Sequence, residues 1–102
     1  MAIRNLTPHT VRLNDGQEFP SVGVARVAAS FSDFDVDGCC RQVFGDVTGL
    51  PAPEAGTLFV VSGLVLSALA GSRTDVVAPA TGHPDVVRNA DKQIVSVPGW
   101  VR

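Results

Sequence analysis

Two histidines, His9 and His83, are the residues of this chain best suited to acid–base work, because imidazole titrates near neutrality without help. Two-histidine phosphodiesterases carry a His-x-Thr or His-x-Ser triplet twice, whereas the third residues here are Val11 and Asp85. A His-dependent phosphodiester hydrolase therefore rests on the fold alone bringing the two rings together. A serine nucleophile wants a Gly-x-Ser-x-Gly elbow, and Val61-Ser62-Gly63 lacks the first glycine. No glycine-rich phosphate loop occurs either, so the familiar catalytic signatures are absent, the reading leans away from an enzyme, and no cofactor is expected.

Metal chemistry finds little to work with. Cys39 and Cys40 are adjacent, point to opposite faces of an extended chain, and would form a strained disulfide, which fits a reducing, cytoplasmic setting. A zinc site needs about four ligands at recognisable spacing, and the two histidines stand apart. Asp33, Asp35 and Asp37 alternate as in a calcium loop, but the position that requires a bidentate glutamate holds Phe44. A solvated turn is the better reading.

What remains is a polar set in apolar surroundings: Asn5, Thr7, His9, Arg26, Ser62, Arg73, Asp75 and Arg88. Arginine forks suit phosphate or carboxylate, and Ser62 can cap a helix, so the set would suit a small anionic ligand such as a nucleotide. The plain alternative carries equal weight. Arg73 and Asp75 would form a surface ion pair, and Asn5 and Thr7 would hold a turn.

These residues must be positioned by a small β-rich scaffold. Residues 3–13 form an edge strand or two short strands kinked at Pro8, which lacks a ladder donor. Asn14-Asp15-Gly16 marks a tight turn back through Glu18 and Phe19. Residues 22–28 read as a strand with Val22, Val24 and Ala28 on one face, interrupted by Arg26. Residues 39–48 read as the return strand after the acidic turn, with a bulge at Gly45. The Pro-punctuated segment 50–56 crosses to Thr57-Leu58-Phe59-Val60-Val61, whose apolar, β-branched run predicts a central strand buried on both faces. Ser62 then starts about two turns of helix that Gly71 stops. Val76-Val77-Ala78 predicts a short strand, and the segments around Val87 and Ile94 predict a closing hairpin, ended by Pro98-Gly99.

The expected architecture is one domain over residues 1–102, α+β and mainly antiparallel, with a single short helix. So little helix leaves one sheet face to be covered by a loop, a barrel-like closure or another subunit, which makes a homo-oligomer a natural expectation. With 102 residues, 45% hydrophobic and 18% charged, the chain can bury a core. Its formal charge of −2 and scattered arginines disfavour generic nucleic-acid binding, which draws affinity from clustered cations. The N-terminal residues build no signal-peptide core, and the longest apolar run, residues 58–70, is too short to span a bilayer.

Several segments together resemble a group of short, mostly uncharacterised proteins of actinobacterial genomes, phages and prophages. They are Asn5-Leu6-Thr7-Pro8-His9-Thr10-Val11, Val24-Ala25-Arg26-Val27, the run from Phe44 to Pro53, Gly56-Thr57-Leu58-Phe59-Val60-Val61-Ser62, and the run from Asp75 to Val87. The likeness implies a mobile-element context. That context suggests a small non-catalytic binding protein that sequesters a nucleotide-like ligand of host antiviral signalling, or alternatively a structural or assembly protein of a phage particle.

Overall fold

A computed structural model describes residues 2–102 as ten strands and one helix. The centre is a four-stranded mixed sheet. β6 (Thr57–Val60) lies between β1 (Ala2–Asn5) and β7 (Val76–Pro79), parallel to both, and β10 (Trp100–Val101) closes the far side antiparallel to β7. The expected central strand is thus central. Phe59 and Val61 face one side and Leu58 and Val60 the other, with Phe59, Val60 and Val61 completely buried. The aliphatic run reads as it does because both faces are covered.

On one face, Phe59, Val61 and Val76 pack with Leu6, Ala25 and Val65 of the helix. On the other, Leu58, Val60 and Val77 meet Ile3 and Trp100. Trp100 continues outward to Phe19, whose ring it meets edge-on at 5.5 Å. The helix α1 (Gly63–Leu69) links the parallel strands β6 and β7, the connection such a pair requires. Ser62 caps it as expected, its hydroxyl accepting from the amide of Val65 at 3.3 Å. The helix stops one residue earlier than glycine placement suggests: Ala70 already sits in the left-handed region at φ 50°.

The antiparallel pairs form ribbons around this sheet. β2 (Val11–Arg12) pairs with β3 (Glu18–Phe19) across the turn at Gly16, and β8 (Val87–Arg88) pairs with β9 (Ile94–Ser96). β4 (Arg26–Phe31) pairs with β5 (Gln42–Thr48), and Gly45 and Asp46 together oppose Ala28, the expected bulge. The start of β4 differs from the sequence reading. Residues 22–25 run alongside β1 instead, Val22 and Ala25 donating to the carbonyls of Asn5 and Leu6 at 2.9 Å, so Ala25 is buried and Val22 exposed. The fold is α+β and β-rich, and no sheet closes into a barrel among the described residues. No helix of the described residues is long and apolar enough to cross a membrane.

Candidate functional site

Three parallel strands end on the same edge of the sheet, so the loops that follow them are forced together. β1 runs into Thr7-Pro8-His9, β6 into Ser62-Gly63, and β7 ends at Pro79, ahead of Thr81 and His83. The carboxyl ends of parallel strands are where open α/β sheets place their ligands. Here the loops, with β2 and β9, border a cleft of about 470 Å³. Pro8, Val11, Pro79, Ile94, Val95 and Val97 give it a mainly apolar wall. Its polar groups come from Thr7, His9, Thr10, Arg12, Ser62, Thr81 and Ser96. A second hollow of about 470 Å³ shares Gly63, Pro79 and Thr81 with it and continues to His83 and Trp100.

Asn5 shapes this edge from beneath. It is 1% exposed and its side chain spends both ends on the chain: the amide donates to the carbonyls of His9 and Phe19, each at 2.7 Å. Its oxygen accepts from the Thr7 amide at 2.9 Å and from the Thr7 hydroxyl at 2.6 Å. A short polar side chain that satisfies the backbone two residues on is how asparagine makes a tight turn. The bend brings Thr7 and His9 over the end of β6. The β9 wall is held by Asn14, which accepts from the Ser96 hydroxyl at 2.6 Å and donates to the carbonyl of Asp85 at 2.9 Å.

Of the residues singled out from the sequence, Thr7, His9 and Ser62 therefore meet at the cleft, with Asn5 supporting them. Arg26 lies in a shallow groove on the helix side, reaching the cleft only across the ridge of Pro8 and Ser62. Arg73 and Asp75 sit at the opposite, amino edge of β7. There the guanidinium donates twice to the carboxylate, at 2.8 Å each, and once to the carbonyl of Pro51 at 3.0 Å. These hydrogen bonds from Arg73 hold the Asp75 carboxyl below its ordinary range and push the guanidinium up. Arg88 closes the β8–β9 hairpin by donating to the Lys92 carbonyl at 3.0 Å. The eight residues do not form one site.

No protein-family model, curated protein or solved structure matches the chain. The geometry alone must then speak for the site. Among the described residues no hydrogen bond joins His9 to Ser62 or to His83, and the Ser62 hydroxyl is engaged as the helix cap. His83 Nδ1 accepts from the Asp85 amide at 3.0 Å, which leaves Nε2 as the proton-bearing nitrogen of the neutral ring. No group of three His, Cys, Asp or Glu side chains gathers to hold a metal among the described residues.

Sequence reasoning missed Arg12, Thr81, Ser96 and Asn14 as parts of the site. Arg12 is the arginine of the cleft lining and is paired with Glu18 across the β2–β3 ribbon, Nε lying 2.8 Å from the carboxylate. Asn14 and Ser96 are 82 positions apart, and no local signal links them.

Proposed function

We propose that the protein is a small, non-catalytic, cytoplasmic binding protein that holds a nucleotide-like ligand in the carboxyl-edge cleft and acts as a homo-oligomer. The observation that carries this reading is the convergence of the β1, β6 and β7 loops on a mainly apolar cleft with a few polar groups, the usual make-up of a small-molecule site. A flat base suits the wall of Pro8, Pro79, Ile94 and Val97. His9 and Thr81 offer hydrogen bonds at its margin, and the hydroxyl oxygens of Thr7 and Ser96, whose protons go to Asn5 and Asn14, can accept. A phosphate would turn toward Arg12, displacing Glu18 from its half-exposed pairing.

The balance of lining favours a ligand with a large neutral part and few charges over a polyphosphate, since Arg73, Arg88 and Arg26 lie elsewhere. In the mobile-element setting implied by the resemblance, such a protein would lower the free concentration of a host signalling nucleotide. Sequestration requires no general base or nucleophile.

The test is to purify the protein, incubate it with adenine and guanine ribonucleotides, linear and cyclic, then heat it and identify by mass spectrometry what is released. The reading predicts one nucleotide retained and released unchanged, and lost from a Thr81→Trp variant that fills the cleft. Release of a converted nucleotide would make it an enzyme. Retention of none, or equal retention by Thr81→Trp, would refute the cleft as the site.

A further inference from the structure

The β4–β5 ribbon is built inside out for a free surface hairpin. Only its base is used by the body, where Val27 and Val47 pack on the helix-side core. Beyond the bulge, Phe31, Phe34, Val36 and Val43 are 69%, 73%, 100% and 51% exposed. Some of the tip's polar groups are spent on its own backbone. Asp35 accepts from the amides of Asp37 and Cys39 at 2.9 and 3.0 Å, and the Ser32 hydroxyl accepts from the Arg41 amide at 2.8 Å. Ladder-like bonds from Ser32 to Arg41 and from Asp35 to Cys39, both 2.8 Å, carry the ribbon on to its tip. The tip is thus preorganised with its apolar side chains outside.

The molecule as a whole is extended. The radius of gyration is 15.4 Å, where a compact domain of this length has about 13 Å. The surface area is 6711 Å² for 10.6 kDa, where a compact monomer of that mass exposes about 5,500 Å². The surplus of about 1,200 Å² exceeds the roughly 800 Å² that each partner buries in a standard interface. Among the described residues β4 and β5 pair only with each other, so each leaves an outer row of backbone donors and acceptors open. A two-stranded ribbon is marginal on its own.

We propose that the β4–β5 arm is a homodimerisation surface, on which the arm of a second copy of this chain lies antiparallel. A two-fold pairing presents the same patch from both copies. Running antiparallel it covers Phe31 on the face that Phe31 shares with Ala29 and Phe44, Val43 lying on the other face, and it keeps the two acidic tips, each with Asp33, Asp35 and Asp37, at opposite ends. A parallel pairing would stack them, and like charges repel. The proposal rests on the homo-oligomer part of the proposed function, to which it gives a surface, and it stands whatever the cleft holds.

Light scattering and sedimentation of the full chain test it. The wild type should have about twice its 10.6 kDa mass, and Phe34→Glu, Val36→Lys and Phe31→Glu should each shift it toward one copy with unchanged far-ultraviolet circular dichroism. Hydrogen exchange on the wild type supplies an arm independent of mutation: amides of residues 26–31 and 42–48 should gain protection as concentration rises. A monomeric wild type at its highest soluble concentration would overturn the proposal, as would a dimer that survives all three substitutions. A mass that rises only when a different protein is added would overturn it too.

Discussion

The two edges of the central sheet use similar polar residues to opposite ends. At the amino edge, Arg73 and Asp75 satisfy each other through two hydrogen bonds and clip the Pro51 carbonyl, which fastens the segment leading into β6 beside a hollow of about 750 Å³ that Arg73 lines with Thr74 and Arg102. At the carboxyl edge, Asn5 is the satisfied residue, and its bonds bend a loop so that Thr7 and His9 stand over an open cleft. An ion pair two residues apart consumes the donors that would have met a ligand. The buried Asn5 amide spends its own groups and the Thr7 hydroxyl on the turn, and the His9 ring is left at the cleft.

The largest effect should come from breaking the carboxyl-edge support. Asn5→Ala leaves the carbonyls of His9 and Phe19 and the Thr7 amide without their partner, and should cost about 2–4 kcal/mol in urea unfolding while abolishing nucleotide retention. The corresponding change at the amino edge, Arg73→Ala, should cost about 1–2 kcal/mol for lost charged hydrogen bonds and leave retention intact. The same edge should carry an acid signature. The Asp75 carboxyl is held below its ordinary value in the folded chain, so its contribution is present above the unfolded value and lost as pH falls from about 4 downward through the folded one. Asp75→Asn should flatten that part of the stability profile.

Smaller effects sharpen the contrast. Ser62→Ala removes the cap at the cleft and should cost about 1 kcal/mol. At the far end of the same helix, Ala70→Gly relieves a left-handed residue at φ 50° and should stabilise by about 0.5–1 kcal/mol. Thermal unfolding reads both shifts, and neither substitution should change the oligomer mass, since the β4–β5 arm lies outside both edges.

The fold was legible where local chemistry decides it. Asn14-Asp15-Gly16 announces its hairpin through residues that tolerate tight turns, Gly45 announces the bulge, and the run from Thr57 to Val61 announces a doubly covered strand. Parallel pairing was not legible, because β1 meets β6 some 55 residues away in register, Ala2 opposite Thr57, with no turn between them to report it. Nor was β10 readable after Pro98-Gly99, where two residues gain their strand character from β7 alone. The site was half legible: Thr7, His9 and Ser62 follow directly from strand ends, whereas Thr81, Ser96 and Arg12 join them only through the tertiary arrangement.

The central claim is that small-molecule binding belongs to the carboxyl edge. Its most direct test is a nitrogen-15 NMR titration with the same panel of linear and cyclic ribonucleotides, followed residue by residue. The account predicts shifts concentrated at residues 7–10, 62–63, 79–83 and 94–97, with residues 71–75 silent. Shifts centred on Arg73, Thr74 and Arg102 at the amino edge, or no shift with any nucleotide, would contradict it.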